Sequence, residues 1–403
     1  MLSAADSSGR SRAVAALIAA SALNIPYGTI YAFSVFLRPM EQQLGVSRTE
    51  MSIVFATATI VLAIGMNLVP ALARRFSASL ILFVGGSLGA LGIAIVTQAS
   101  GFWMLMVGYG VLFGMGGGLA FTAVQQGVNQ SMPRPSGLAN GYVVSLYPLG
   151  AMIGAPIFSI TIPAWGIAPT LWLLSGTLFV AGCVAAWLFH RASVVLVSAE
   201  GTRSNATVAF THPIFARLFV VFFLAASAGM MVLSQAAGML YAYGADAALA
   251  AAATTFITGS IAASRLGGGW LVDRWPMYQV AVGANLWALA GAAFITLVPS
   301  PWTALIALAM LGMGYGVMSG ASAGYLPQLW SRDLFASIAA RLYIAWCAAA
   351  IVLPVLAGWL FDLTGGYHAA VLVAAVGNLL GAWIARRLPQ PHALDKSAPR
   401  SHD

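Results

Sequence analysis

The chain has 403 residues, 60% of them hydrophobic and only 7% charged, with a mean hydropathy of +0.89. Soluble domains carry about 25% charged residues to hold a solvated surface, so an ordinary soluble protein is excluded. The net charge of +8 sits in short gaps between apolar runs and not on one basic face, which argues against nucleic acid as the partner.

A helix needs about 20 apolar residues to cross the hydrocarbon layer of a bilayer, and only helices or closed barrels satisfy their backbone there. Twelve segments meet that length. They cover approximately 13–37, 50–72, 78–98, 102–128, 138–161 and 168–189, then 214–241, 248–271, 278–298, 302–326, 336–360 and 367–385. The first is too long for a signal peptide, and Asn24, Pro26, Tyr27 and Gly28 interrupt it, so it reads as the first span. Cys183 and Cys347 lie inside spans as small core residues, leaving no disulfide framework and no thiolate metal site; no metal or cofactor is expected.

The gap at 190–213 divides the chain near its middle. The expected organisation is a six-helix bundle over 1–189, a linker over 190–213, a second six-helix bundle over 214–389 and a tail over 390–403. With the N-terminus inside, 14 Lys and Arg fall on the inner side and 2, Arg38 and Arg48, on the outer. Cytoplasmic loops retain Lys and Arg, so both termini and the linker are expected in the cytoplasm of a multi-pass inner (plasma) membrane protein, acting as a monomer in the lipid bilayer.

The two halves repeat. Gly114-Met115-Gly116-Gly117-Gly118 returns as Gly312-Met313-Gly314-Tyr315-Gly316, 198 positions later, and the same offset carries Pro156 onto Pro354. An offset of 199 carries Arg75 onto Arg274. Matched halves in an apolar chain point to a secondary transporter, with substrate near the midplane between them. The glycines themselves read as close helix packing, and since they follow no strand a nucleotide-binding loop is excluded.

Two arginines, Arg265 and Arg341, fall inside spans, where an ion costs several kcal/mol unless it faces a cavity or a partner. Arg265 lies eight residues before Asp273, and Arg341 eight after Asp333, which is roughly 12 Å of helix in each case. All ten carboxylates lie in tails, loops or span ends. Buried cations without buried anions make a positive cavity, and guanidinium fits a carboxylate bidentately. The alternative for either arginine is snorkelling to the inner face or bonding backbone carbonyls at a gate. Tyr27 and Tyr31, spaced i,i+4, share a helix face with Asn24. Tyr315, Ser319 and Ser322 form a polar stripe on the tenth span, and Tyr343 and Trp346 share a face of the eleventh. These tyrosines line the cavity or pack against lipid and neighbouring helices. Gln125, Gln126 and Gln235 are unusual at their depth, and interhelical hydrogen bonds would equally explain them.

The segment Gly269-Trp270-Leu271-Val272-Asp273-Arg274 resembles the Gly-x-x-x-Asp-Arg signature of the major facilitator superfamily. Its first-half copy, Val69 to Arg75, has Arg74 where the Asp belongs. Within that superfamily, Tyr31-Ala32-Phe33-Ser34-Val35-Phe36 and Phe361-Asp362-Leu363-Thr364-Gly365-Gly366-Tyr367 resemble the oxalate/formate antiporter and monocarboxylate transporter branch. The resemblance covers essentially the whole chain. It implies an all-α fold of twelve transmembrane helices in two pseudo-symmetric bundles, no enzymatic activity, a small organic anion as substrate, and Arg265 as its ligand. Gly269, Asp273 and Arg274 would then be the gating motif. Two family positions are replaced: Trp346 stands at the lysine place of the oxalate/formate antiporters, and Ile261 at the Asp place of the proton-coupled monocarboxylate carriers, whose first-helix lysine falls on Tyr31. None of the five histidines lies mid-span to relay a proton. The expectation is a monocarboxylate carrier working by rocker-switch exchange or uniport. The alternatives are a proton-coupled carboxylate symporter, a drug/proton antiporter, for which Gly141, Gly150 and Gly154 reproduce a fifth-helix motif, or a non-transporting sensor.

Overall fold

A computed structural model describes residues 2–132, 136–196, 213–330 and 332–389. The regular elements described are all helical. The first helix, Leu2–Gly28, continues through a 3-10 turn at Thr29–Ala32 into Ser34–Leu44. The second and third are Arg48–Leu72 and Ala78–Thr97. The fourth runs from Phe102 through a widened π-helical stretch, Met106–Phe113, into Gly114–Ser131. The fifth and sixth are Gly137–Trp165 and Ile167–Arg191, and the second half follows as Pro213–Ala242, Ala247–Val272, Met277–Leu297, Pro301–Leu329, Arg332–Thr364 and His368–Ala385. Most of the linker and the whole of the 390–403 tail lie outside the described residues.

Local chemistry sets the ends. Ser47 accepts from the Glu50 amide while Glu50 returns a bond to the Ser47 amide, closing a capping box at the start of the second helix. Ser77, Ser136, Asp246 and Ser300 cap the third, fifth, eighth and tenth helices in the same way of accepting an orphan N–H. In the first helix Pro26 lies inside, the Thr29 hydroxyl bonds the Pro26 carbonyl at 2.6 Å, and the 3-10 turn follows. The Thr29 hydroxyl thus competes with the backbone amides for the Pro26 carbonyl where the pitch tightens.

Among the described residues, eleven helices are long and apolar enough to cross a membrane. The eighth has 26 residues, with Arg265 as its one charged side chain. Thr254, Thr255, Thr258, Ser260, Ser264 and Arg265 give it a run of polar side chains, of which Thr258, Ser264 and Arg265 are buried. Large apolar side chains cover the outside of the bundle: Trp103 is 74%, Ile160 71% and Leu297 79% exposed. Such a surface is stable only against lipid. Cys347 is buried and Cys183 half-buried, both as free thiols.

The glycine repeat is the scaffold of each half. A Cβ at Gly114 or Gly118 would strike the backbone of Ala58 or Leu62 in the second helix; one at Gly312 or Gly316 would strike Ile257, Ile261 and Ser264 in the eighth. Likewise Gly116 abuts Gly85 and Gly89 of the third helix, and Gly314 abuts Ala284 and Ala288 of the ninth. The packing partners are themselves 199 positions apart, so one architecture is built twice.

Between the halves, the fifth helix packs against the eighth and tenth, and the second against the eleventh. Gly137 meets Gly269 and Gly324 with no room for a Cβ, and Asn67 Nδ2 donates to the Ala340 carbonyl at 3.1 Å. These contacts close the end of the bundle where the last helix finishes. Toward the opposite end a cavity of about 500 Å³ lies between the first, second, seventh and eleventh helices, with Tyr31, Phe55, Gln235 and Ala350 among its walls.

Candidate functional site

Arg265 is only 4% exposed. The tenth helix comes so close that a Cβ at Gly320 would collide with the Arg265 carbonyl, and on the other side Gly141 of the fifth helix would meet the same oxygen at 2.8 Å. Small residues on both neighbours therefore hold the eighth helix at this point and fix where the guanidinium emerges. Its Nη1 donates to the Val144 carbonyl at 2.6 Å. Its Nη2 donates to the Tyr315 hydroxyl and, at 3.5 Å, reaches the Tyr31 hydroxyl. The guanidinium carbon stands 4.9 Å from the Tyr315 ring centroid and 5.9 Å from that of Tyr31, within cation–π range. None of these partners is a carboxylate, and Nε has no partner among the described residues.

Aromatic rings extend from this centre. Tyr31 stands edge-on to Tyr147 at 6.3 Å and to Trp346 at 6.4 Å. Phe121 bridges Tyr147 and Tyr343, at 5.3 and 5.1 Å, and Phe222 backs Tyr343 at 6.2 Å. Tyr343 is also within hydrogen-bonding range of the Gln125 side chain. The result is a compact site between the halves, with one cation and a wall of rings. Tyr31 belongs both to this site and to the cavity, so the cavity ends on Tyr31 with Arg265 behind it.

Of the residues expected here, Arg265, Tyr31, Tyr315, Tyr343 and Trp346 come together. Two do not. Tyr27 is turned into the first half, where its hydroxyl donates to the Gly85 carbonyl at 2.6 Å and its ring lies 5.2 Å from Phe113. The i,i+4 spacing to Tyr31 holds a common face only on an α-helix, and the 3-10 turn rotates Tyr31 away from it. Arg341 is exposed and stands apart from Arg265. At about 100° per residue it lies roughly 200° from Tyr343, on the opposite side of the eleventh helix. Phe121, Tyr147, Phe222 and the Val144 carbonyl were not singled out by sequence. Phe121 lies one turn before Gln125, which was a usable signal; a backbone carbonyl carries none.

The motif residue Asp273 faces the other half. Its carboxylate accepts from the Gly137 amide at 2.7 Å, the Leu138 amide at 2.9 Å and the Ser136 hydroxyl at 3.4 Å. It thus caps the N-terminus of the fifth helix, where the helix dipole favours an anion. Arg274 folds back over the Trp270 ring at 4.2 Å and bonds the Trp270 carbonyl. Gly269 is the close-contact residue with Gly137. Gly150 meets Ile25 and Gly28 of the first helix, and Gly154 meets Thr29. Together with Gly141 these are close-packing positions.

Two bundles of six helices around a buried cation define a membrane transporter. The chain matches the Major Facilitator Superfamily over residues 17–340 and again over 218–402, and it belongs to that family. Among curated proteins it is 26% identical to monocarboxylate transporter 13 of Bos taurus over 384 residues, covering 93% of this chain and 88% of that protein. It is also 26% identical to monocarboxylate transporter 11 of Mus musculus, with 92% and 86% covered. Among solved structures it resembles the transporter FucP in its outward conformation, with a TM-score of 0.70, 16% identity and 93% of this chain and 98% of that one covered. The proton:xylose symporter XylE, bound to 6-bromo-6-deoxy-D-glucose, gives a TM-score of 0.72 at 14% identity over 96% and 99%.

Proposed function

We propose that this transporter moves a small organic anion, specifically a monocarboxylate, by alternating access of its two halves. The observation that carries the reading is Arg265, a buried guanidinium whose contacts are phenols and a carbonyl. A fixed cation with no acid partner among its contacts favours an anion from outside, and the planar fork selects carboxylate geometry. The relatives named as monocarboxylate transporters support the same substrate class.

The gate follows from the asymmetry of the two ends. Substrate enters the cavity, passes Tyr31 and meets Arg265. Neutralising the cation lets the halves rock; the Asp273 cap on the fifth helix then releases and the opposite end opens. Exchange or uniport fits best, since Ile261 occupies the place where a proton-carrying acid would sit. The 14 to 2 split of basic residues supports a plasma-membrane orientation with both termini in the cytoplasm.

Purified protein melted in the presence of mono- and dicarboxylates tests the reading. A ligand at 100 times its dissociation constant stabilises by about 2.7 kcal/mol, and monocarboxylates should raise the melting temperature more than oxalate does. A chain stabilised only by organic cations would instead be a drug antiporter, and one stabilised by no acid would not be this carrier.

A further inference from the structure

Buried donors in folded proteins almost always have an acceptor, and an orphaned one costs about 1–3 kcal/mol. Two orphans belong to the aromatic part of the site. Trp346 is 4% exposed and its indole Nε1 has no partner among the described residues; Gln125 is 1% exposed and its Nε2 has none among them. The amide of Gln125 can turn its oxygen toward Tyr343. The indole cannot adapt, because it carries one N–H and no acceptor.

We infer that Trp346 is a specificity-determining donor whose indole N–H reads an uncharged hydrogen-bond acceptor on the tail of the carboxylate. The inference rests on the carboxylate reading of Arg265 and extends it. Tyr31 touches both groups, with its hydroxyl toward the guanidinium and its ring 6.4 Å from the indole, so cation and donor serve one ligand. Trp346 also lies one helical turn from Ala350, a wall of the entry cavity, which puts the indole on the path of a molecule passing Tyr31. The rings of Tyr31, Tyr343 and Phe121 offer faces and edges to the rest of the tail.

The acceptor is neutral for an electrostatic reason. A second carboxylate beside Trp346 would be buried without a counter-ion, because the indole is uncharged and Arg341 lies on the far side of its helix. A ketone, ether or amide carbonyl needs only the one N–H. The substrate class is therefore a monocarboxylate bearing a neutral acceptor apart from its carboxyl group.

Levulinate and valerate share a five-carbon acid chain and differ by one ketone, so the pair isolates that contact. Wild-type protein in proteoliposomes should bind levulinate roughly three- to tenfold more tightly than valerate, the worth of one net hydrogen bond. Trp346→Phe keeps a ring but removes the donor, and should bring the ratio of levulinate to valerate binding to parity or below. Trp346→His keeps a ring N–H and should restore part of the preference. Equal binding of the two acids by wild type, abolished by Arg265→Gln, would overturn this inference and leave the carboxylate reading intact. A preference that survives in Trp346→Phe would overturn it as well. Binding of neither acid would overturn the carboxylate reading and this inference with it. The wild-type comparison decides even if the Phe variant does not fold.

Discussion

The two halves share a skeleton and differ in chemistry at the same positions. Carried forward by 199 residues, Met66 of the second helix lands on Arg265 of the eighth, and Arg74 lands on Asp273. Carried by 198, Gly117 lands on Tyr315. In the first half a tyrosine of the first helix, Tyr27, packs over Gly117 and bonds the third helix; in the second, Tyr315 packs over Gly229 of the seventh and bonds Arg265. The large and small partners have changed sides. The first half thereby buries its phenol in its own packing, and the second turns its phenol onto a cation. The repeat supplies the scaffold, and function sits where the repeat is broken.

The largest effect should come from removing the break itself. Arg265→Met makes the second half match the first, and Arg265→Gln keeps a polar group of similar reach. Charge-assisted hydrogen bonds are worth about 1.5–3 kcal/mol, so uptake should fall by one to two orders of magnitude or vanish, with Arg265→Lys milder because the charge stays and the fork goes. The melting temperature should fall only modestly, since the Val144 carbonyl and the Tyr315 hydroxyl lose a donor, at about 1–3 kcal/mol, but no acid is stranded. Transport and melting are measured together. Normal uptake in Arg265→Gln would erase the functional difference between the halves.

The shared skeleton is tested by the glycines. Gly118→Ala and Gly316→Ala occupy equivalent positions, and each added methyl would strike the second or the eighth helix. Overpacking costs about 1–3 kcal/mol, so both should lower the melting temperature, and by similar amounts. Gly267→Ala meets nothing within 4 Å and should be neutral or mildly stabilising, because alanine is the better helix former. A large loss at only one of the pair would mean the halves are not packed alike.

The helical spans and an arginine inside the eighth of them were legible in sequence, because apolar length and the position of an ion within it are properties of composition and position. Which way a side chain faces was not. Arg341 and Arg265 stand at similar depths, yet one is exposed and the other buried, since depth along a helix says nothing of rotation about it. Tyr27 was misplaced by a change of pitch that begins at Thr29, between it and Tyr31. The orphan N–H of Trp346 depends on what three other helices bring near it, which no single segment records.

The seal differs between the halves too, and a smaller effect is expected there. Asp273 caps the fifth helix, whereas its counterpart Arg74 carries the opposite charge. An anion at a helix N-terminus is worth about 0.3–1 kcal/mol at exposed sites. Asp273→Asn should therefore shift the population toward the state open at that end by a few-fold. A cysteine placed at buried Ser322, with Cys183 and Cys347 replaced, should be labelled faster from that side in the Asn variant. Unchanged labelling would make Asp273 a fold residue and not part of a gate.

The finest distinction is between the two exchanged tyrosines, because the same one-atom deletion should act on different properties. Tyr27→Phe removes the bond to the Gly85 carbonyl, a buried acceptor within the first half. The expected cost is about 1 kcal/mol of stability, with the substrate constant unchanged, since nothing on that ring reaches Arg265. Tyr315→Phe leaves the helix packing intact but takes a partner from Arg265. The freed guanidinium nitrogen then has the Tyr31 hydroxyl, at 3.5 Å, and substrate to satisfy it. Substrate affinity should move by two- to fivefold in Tyr315→Phe, about the size of a weak hydrogen bond, while the melting temperature moves less than in Tyr27→Phe. Reading transport affinity and melting temperature for both variants gives a crossed pattern. If both lower stability and neither alters affinity, the exchange of tyrosine and glycine between the halves is a packing accident and the site is smaller than drawn here.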